Sequence, residues 1–306
     1  MCTLYNKYRA GIIGTTFSND SEYKKERKQN PMNNCNVIAI TNQKGGVGKT
    51  TTTVNLGVGL AREGNRVLLI DADPQGSLTL SLGVKNPDDL EISLATYMGY
   101  IMQDKPFEPR AGIQQHEEGI DFLPSNIELS GVEITLFNAM SREYVLKTYV
   151  DSVRKDYDYI LIDGMPSLGM MAINTLVAAD SVMIPSQPSF LSAKGLDLLL
   201  HSITRVKRSI NPKLKIEGIL LTMVDSRTNN AKDIISSLQA GIGKHIRIMQ
   251  TQIPFSVRAS ECSLHGKSIF THDKNGKVAE SYAALAKEVM QLERAKADRS
   301  RNDGAR

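Results

Sequence analysis

The sequence predicts an α/β fold, doubly wound, with a mainly parallel sheet and helices on both faces of that sheet. Two observations support this prediction. Short apolar runs rich in β-branched residues recur along the chain, and segments with helical spacing lie between them. Continuous apolar strands of this kind are typical of a parallel sheet that is covered on both faces. In such folds, right-handed crossovers bring the carboxyl ends of the strands to one edge, where ligands bind.

The first predicted strand, residues 37–41, leads into a glycine-rich loop and then into a helix. The strand is apolar, and the loop contains Gly45, Gly46 and Gly48. Small and apolar residues then continue to Gly64, and a glycine at this point is typical of a helix C-terminus. An anion held by such a loop meets backbone N–H groups and the positive end of the helix dipole. The order of strand, loop and helix therefore predicts a phosphate-binding site.

The remaining elements alternate in the same way as far as residue 292. Residues 84–135 are less regular than the rest of this stretch. The predicted strands cover 66–71, 120–123, 159–163, 181–184, 217–224 and 246–253, and the predicted helices cover 144–155, 192–209, 230–240 and 278–292. The pattern indicates one domain over residues 37–292, preceded by a polar N-terminal extension (1–36) and followed by a polar, basic C-terminal tail (293–306).

The composition of the 306 residues is that of an ordinary globular protein, with 41% hydrophobic and 23% charged residues. No apolar run is long enough to span a bilayer, and the N-terminus lacks the apolar core of a signal peptide. The three cysteines (Cys2, Cys35 and Cys262) are far apart and lack metal-binding spacing, which predicts reduced thiols. We therefore expect a cytoplasmic protein that does not bind a membrane.

The net charge of +4 conceals a division of charge along the chain. Residues 37–193 carry 11 Lys and Arg against 19 Asp and Glu, a net charge of −8. Residues 194–277 carry 14 against 6, a net charge of +8. A basic C-terminal half favours a nucleic-acid partner, although a merely solvated surface would have the same composition.

The glycine-rich loop differs from the standard phosphate-binding loop, G-x-x-x-x-G-K-[ST], in one informative respect. Residues 48–50 fit the end of that motif, whereas Gln43 occupies the position of its first glycine. A second lysine, Lys44, follows directly, so the loop reads KGGVGKT. Lys49 is the lysine that the standard motif places on the terminal phosphates. Lys44 is therefore the feature that separates this loop from most phosphate-binding loops.

Three aspartates end or follow predicted strands and so are expected at the same edge as the loop. Asp163 follows four apolar residues, which is the Walker B pattern, and is predicted to hold Mg²⁺ through water beside a directly bound Thr50. Asp71 ends the second strand and is predicted to brace the metal site. Asp73, just beyond the strand, is the candidate for orienting an attacking water, although an Asx-type turn would have the same sequence.

Together these residues resemble the ParA/Soj branch of the deviant Walker A ATPases, a group of P-loop NTPases that also includes MinD and the nitrogenase iron protein. The resemblance extends from about residue 37 to residue 290. Its motifs are KGGVGKT (44–50), DADPQG (71–76), YDYILID (157–163), LLTMVDSRTN (220–229), IP (253–254), VR (257–258) and SLHGK (263–267). The first motif is specific to the whole group, and the later ones are typical of ParA/Soj proteins. The resemblance implies that residues 37–292 are a ParA-like ATPase domain.

The resemblance implies an ATPase that binds ATP with Mg²⁺ and forms a homodimer around the nucleotide. Lys44 corresponds to the signature lysine, which reaches phosphates bound by the other subunit, and Asp73 corresponds to the residue that positions the water. These two are the predicted catalytic residues. The predicted nucleotide-binding residues are Lys44, Gly45, Gly46, Val47, Gly48, Lys49, Thr50 and Thr51. The predicted metal site consists of Thr50, Asp71 and Asp163.

The family also implies that the ATP dimer binds DNA without sequence preference and is released when a ParB-like partner stimulates hydrolysis. Arg227 and Arg258 match positions that the family uses for DNA, and both lie in the segment of charge +8. Binding of this kind neutralises phosphates and weakens as salt is added. The expected location is the cytoplasm, on the nucleoid. For either arginine a structural ion pair is the alternative.

Two positions depart from the family pattern. After the Walker B aspartate the family usually has Cys-Pro-Pro, whereas this chain has Gly-Met-Pro, which places Met165 in a loop near the γ-phosphate. After Ile-Pro the family usually has Arg-Asn, whereas this chain has Phe255 and Ser256. The second departure removes one cation from the predicted DNA-binding surface.

The function that the resemblance implies is therefore DNA partition by a ParA-like ATPase, and there are three alternatives to it. A MinD-like regulator of membrane sites needs a C-terminal amphipathic helix with bulky apolar residues, and residues 293–306 contain none. An iron–sulfur reductase needs suitably placed cysteines, which the chain lacks. A ParA-like ATPase that positions a protein assembly instead of DNA would have the same sequence features, so this alternative stays open.

Overall fold

The chain forms an α/β fold built around one sheet. The structure, a computed structural model, describes residues 35–167, 169–188, 190–225, 227 and 229–304. The predicted N-terminal extension therefore lies outside the described residues, apart from Cys35 and Asn36. Within the described part of the chain, no helix is both long enough and apolar enough to cross a bilayer.

Eight strands form the sheet in the order β3-β4-β2-β5-β1-β6-β7-β8. Only the β3–β4 pair at one edge is antiparallel among the strand pairs of the described residues. The strands are β1 (Asn36–Ile40), β2 (Val67–Ala72), β3 (Gln114–Gln115), β4 (Asp121–Leu123), β5 (Tyr159–Gly164), β6 (Ser181–Ser186), β7 (Lys215–Val224) and β8 (Ile248–Pro254). The predicted mainly parallel sheet is thus confirmed.

Helices connect the strands. They are α1 (Lys49–Arg62), α2 (Ser77–Ser81), α3 (Leu94–Met102), α4 (Glu128–Leu136), α5 (Val145–Val153), α6 (Met170–Ala178), α7 (Phe190–Ser209), α8 (Asn229–Ala240), α9 (Val257–Glu261), α10 (Ile269–His272) and α11 (Lys277–Gly304). Short 3₁₀ segments cover Pro87–Asp89, Arg154–Asp156, Ile242–Lys244 and Cys262–His265.

The central strand β1 shows why helices cover both faces of the sheet. Val37 and Ala39 point into one hydrophobic core, which also contains buried residues of α3, α5, α6 and α7. Ile38 and Ile40 point into a second core on the other face, with buried residues of α1, α10 and α11. Successive side chains of a strand point to opposite faces, so a strand that is apolar throughout must be covered on both. The doubly wound arrangement is therefore confirmed.

Three predictions of secondary structure were wrong or incomplete. The closing helix was predicted to end at 292, but α11 continues to Gly304. The predicted polar tail is thus helical over all its described residues, and Lys296 within it forms ion pairs with the buried Glu217 of β7 and with Glu293. The irregular stretch 84–135 contains α3 and α4, and α6 was not predicted at all. These helices are nine residues long, which leaves little room for a periodic pattern.

Candidate functional site

The loop between β1 and α1 lies at the carboxyl edge of the sheet and needs glycine at two positions. Gly46 has a φ of 71° and Gly48 has a φ of 82°. These values lie in the left-handed region, which residues with a Cβ atom seldom adopt. A Cβ atom on Gly45 would meet no atom within 4 Å, so the loop also leaves space beside its backbone.

Hydrogen bonds from neighbouring strands hold the loop in place. The Oγ1 atom of Thr222 in β7 donates to the carbonyl of Val47 at 2.8 Å, and Val47 is fully buried. The Nε2 atom of Gln187, just after β6, donates to the carbonyl of Gly46 at 3.1 Å. The amide of Asn42 donates to Pro185 at 2.7 Å. The carbonyl groups of Gly46 and Val47 are thus held by side chains of β7 and of the segment that follows β6.

The two lysines of the loop lie in different surroundings. Lys49 is only 8% exposed, and its Nζ atom donates to the carbonyl of Lys44 at 3.3 Å. Burial lowers the pKa of Lys49, while the carboxylates of Asp163 and Asp73 act in the opposite direction. Lys44 is half-buried, and its backbone N–H donates to Asn42 Oδ1 at 3.1 Å. The ammonium group of Lys49 therefore lies against the backbone of the loop itself.

Asp163, which lies within β5, contacts the first turn of α1. Its Oδ2 atom accepts a hydrogen bond from Thr50 Oγ1 at 2.7 Å, and its Oδ1 atom accepts one from Thr53 Oγ1 at 3.0 Å. Burial raises the pKa of Asp163 to about 7, with a further increase from the charge of Asp71. The threonine hydroxyls and Lys49 oppose this shift.

Asp71, near the end of β2, and Asp73, in the turn that follows β2, have different surroundings. Asp71 is fully buried and accepts hydrogen bonds from the backbone (2.9 Å) and the hydroxyl (2.7 Å) of Thr79 in α2. Burial raises the pKa of Asp71 to about 6. Asp73 is half-buried, and its Oδ1 atom accepts a hydrogen bond from Gln75 N at 3.0 Å. The turn is therefore an Asx-type turn, and the carboxylate of Asp73 is accessible.

The side chains that could hold a metal ion here carry only oxygen donors. Thr50 Oγ1 and Asp163 Oδ2 are adjacent, and Asp71 lies on the neighbouring strand in register with Asp163. Mg²⁺ prefers oxygen ligands and usually takes only one or two carboxylates from the protein, with water and phosphate completing its shell. No cluster of three or more His, Cys, Asp or Glu side chains suited to a metal occurs in the described part of the chain. The donor set thus fits Mg²⁺.

A cleft that the sequence patterns did not predict begins at the loop. Residues of the loop, α1, β7, β8, α9 and α11 line this cleft. They are Gly48, Thr51, Thr222, Met223, Ile253, Pro254, Phe255, Ser256, Ala259, Ser260 and Tyr282. Met223 has a φ of 53°, which is rare for a non-glycine residue. Its sulfur accepts a hydrogen bond from Gln187 at 2.8 Å. Such backbone outliers cluster at ligand sites.

The two predicted DNA-binding arginines are exposed, and each forms an ion pair. Arg227 is 85% exposed and makes two hydrogen bonds to Asp225, at 2.8 and 3.0 Å. Arg258 is 66% exposed, and its Nη1 atom lies 2.7 Å from Asp273 Oδ1. Exposed ion pairs are worth little in free energy, so either arginine can leave its carboxylate for another anion.

Comparison with known proteins adds a second line of observation. A family model described as an AAA domain matches residues 35–216. The sporulation initiation inhibitor protein Soj of Bacillus subtilis is 44% identical over 261 residues, which cover 83% of this chain and 97% of Soj. The chromosome partitioning protein ParA of Myxococcus xanthus is 40% identical over 268 residues, which cover 87% of this chain and 91% of that protein. This chain belongs to the ParA/Soj family of P-loop ATPases.

The fold of this ParA/Soj-family chain is also that of a solved structure from Mycobacterium smegmatis. That protein, named cobyrinic acid a,c-diamide synthase, was crystallised with bound ADP and magnesium. It superimposes with a TM-score of 0.74 at 34% identity, covering 86% of this chain and 96% of the other. The similarity confirms the predicted P-loop α/β fold.

One departure from the ParA/Soj pattern has a steric reason in the structure. A Cβ atom on Gly164 would lie 3.1 Å from the carbonyl oxygen of Ile40 and 3.2 Å from the side chain of Thr41. The glycine thus allows β1 and β5 to approach closely beside the loop. The next residue, Met165, is half-buried and packs against the hydrophobic core that α6 contributes to.

Proposed function

We propose that this ParA/Soj-family ATPase is a DNA partition protein that dimerises on ATP, binds DNA without sequence preference and is released by a ParB-like partner. The observation that carries the proposal is the second lysine of the phosphate loop. Lys49 is buried within the loop of its own subunit, so the loop already has the lysine that a phosphate site needs. Lys44 then serves the phosphates of a partner copy, as the flexible point charge of a lysine can.

ATP would bind with its phosphates along the loop and its base in the adjoining cleft. The backbone N–H groups of residues 45–51 and the N-terminus of α1 supply the positive potential for the phosphates. A bound Mg²⁺ would supply positive charge beside the phosphates, which would offset the negative charge that develops during hydrolysis. Thr50 would hold it directly, Asp163 through water, and Asp71 through the charge it places beside Asp163. The cleft starts at Gly48 and Thr51, which fits a base attached to those phosphates.

Asp73 would orient the attacking water towards the γ-phosphate. It follows β2 at the carboxyl edge of the sheet, and the Asx turn that it forms with Gln75 fixes its backbone. Its charge acts on Lys49, which indicates that the carboxylate and the phosphate loop are near each other. A half-buried carboxylate at this edge is available to a water molecule, whereas the oxygens of Asp71 are engaged by Thr79.

Arg227 and Arg258 would contact DNA phosphates in the dimer. Both are exposed cations in the C-terminal half, whose net charge over residues 194–277 is +8. A dimer doubles the number of such contacts, which couples ATP binding to DNA affinity. We expect the ATP-bound protein to associate with the nucleoid for the same reason. Residues 37–292 would be the ATPase domain, and the segments 1–36 and 293–306 would flank it.

The decisive experiment measures ATP turnover with and without nonspecific DNA and the protein encoded by the adjacent gene. If the protein partitions DNA, nonspecific DNA and the partner protein should stimulate ATP turnover synergistically, and Lys44→Ala should abolish this stimulation. Stimulation by anionic lipid vesicles and not by DNA would instead support a MinD-like function. Stimulation by a protein partner without any effect of DNA would favour a ParA-like ATPase that positions a protein assembly.

A further inference from the structure

Phe255 lies where the chain leaves β8 and enters α9, and it lines the cleft beside the phosphate loop. Its backbone N–H donates to the carbonyl of Val224 at 3.2 Å, so the end of β7 fixes its position. The residue is 60% exposed, more than any other apolar residue of the lining. A large aromatic side chain thus stays in contact with water at a cleft that begins at the phosphate loop.

The other large apolar side chains that line the cleft are less exposed than the ring of Phe255. Ile253 is only 4% exposed, and Met223 is 36% exposed. No ring of another residue stacks against Phe255 in the described part of the chain. The polar groups of the lining are hydroxyls, among them those of Ser256 and Ser260. A flat, weakly polar ligand would therefore cover the exposed ring without losing strong hydrogen bonds.

We propose that Phe255 is the residue that holds the base of the bound nucleotide, by stacking its ring on the face of adenine. The inference rests on the proposed ATP site, because it assumes that the phosphates occupy the neighbouring loop. Stacking of a base on an aromatic side chain accounts for about 1–3 kcal/mol in alanine substitutions, whichever base is stacked. The ring contact therefore supplies affinity for the nucleoside part of ATP and none for its phosphates.

The proposed role of Phe255 explains why this position departs from the family pattern. ParA/Soj proteins usually carry Arg-Asn where this chain has Phe255 and Ser256. A phenylalanine contributes no charge to a DNA-binding surface, but it offers apolar area and an aromatic face to a base. In this chain the position thus serves the nucleotide.

The test compares the binding of MgATP with that of Mg-tripolyphosphate, which lacks base and sugar, by calorimetry on the full-length protein. Phe255→Ala should raise the dissociation constant for ATP about fivefold or more, following the stacking free energy. It should leave the constant for tripolyphosphate unchanged. Phe255→Tyr keeps the ring and should bind ATP like the wild type. Phe255→Leu keeps apolar area without a ring and should resemble Phe255→Ala.

Val257→Ala is the matched control, because Val257 is 64% exposed two residues away and does not line the cleft. It should bind both ligands as the wild type does. Equal ATP affinity in Phe255→Ala and the wild type would overturn the inference. An equal decrease in the affinity for ATP and for tripolyphosphate would also overturn it, because it would mean that the substitution had displaced the phosphate loop. A wild-type protein that binds neither ligand would instead refute the proposed ATP site.

Discussion

Asp71 and Asp163 lie directly opposite each other on the neighbouring parallel strands β2 and β5, and both are fully or almost fully buried. The charge of Asp71 contributes to the raised pKa of Asp163. Two carboxylates so close together and away from water repel each other unless a cation lies nearby. The Thr50 hydroxyl, which donates to Asp163 at 2.7 Å, marks the place where such a cation would be held.

The first prediction concerns this pair. Asp163→Asn should raise the Mg²⁺ concentration for half-maximal ATP turnover roughly 10- to 100-fold, the usual effect of removing a group that holds a metal through water. The melting temperature of the nucleotide-free protein should stay the same or rise, because one buried charge has been removed. Asp151→Asn, at an exposed site on α5, is the control and should change neither quantity. An unchanged Mg²⁺ requirement would contradict the metal assignment.

Asp73 has two separable properties, its charge and its acceptor oxygen in the turn with Gln75. Asp73→Asn keeps the acceptor and removes the charge, whereas Asp73→Ala removes both. If the carboxylate orients the attacking water, both variants should lower turnover about 100-fold or more. Both should still form an ATP-dependent dimer that stays on DNA, as measured by sedimentation. A variant that remains monomeric with ATP, or an Asp73→Asn protein with normal turnover, would refute this assignment.

DNA binding by the ATP-bound protein should depend on Arg227 and Arg258. Each substitution by alanine should weaken binding to any DNA sequence and reduce the slope of log affinity against log salt by about 1 for each DNA phosphate that the protein no longer neutralises. Lys147→Ala is the control, since Lys147 is a half-buried, ion-paired cation of the acidic half of the chain. Equal salt slopes for all of these proteins would place the DNA-binding surface elsewhere.

The ion pair of Arg258 with Asp273 provides a further check. Asp273→Asn removes the carboxylate that competes with DNA phosphates for this arginine. DNA affinity measured by titration at low salt should therefore stay the same or increase. A decrease as large as that caused by Arg258→Ala would mean that the pair acts by holding α9 and α10 together.

The end of α11 should contribute to the stability of the domain. Lys296 forms ion pairs with Glu217, whose side chain is 1% exposed, and with Glu293. Lys296→Ala would leave a buried carboxylate without its cation, so the free energy of unfolding should fall by about 3–5 kcal/mol. Asp298→Ala, at an exposed position of the same helix, should have almost no effect. Equal urea midpoints for both variants would contradict this account of the helix end.

Much of this fold was predictable because its central strands can be recognised from their own residues. β1, β2, β5 and β6 are short, apolar and followed by functional or turn residues, and burial on both faces requires that composition. The phosphate loop was predictable for a related reason, since only glycine adopts the backbone of Gly46 and Gly48 without strain. In both cases the chemistry of adjacent residues is sufficient.

What the sequence did not predict depends on interactions between distant residues. In the end of α11, Lys296 contacts Glu217, which lies 79 positions earlier in the chain. The hydrogen bond from Gln187 to the loop carbonyl of Gly46 joins residues 141 positions apart, and no local sequence pattern predicts it. The cleft likewise combines β7, the segment after β8 and α1, with Met223 at a backbone conformation that its residue type does not suggest.

The central claim is that Lys44 acts on nucleotide bound by the other subunit, and mixing two inactive variants tests it most directly. Lys44→Ala retains Asp73, and Asp73→Ala retains Lys44. If Lys44 acts across the dimer, a mixed dimer contains one complete site, so ATP turnover in the presence of DNA and the partner protein should reappear on mixing. If Lys44 acts within its own subunit, no complete site exists in any dimer. Turnover that stays at the level of the separate variants would contradict the account.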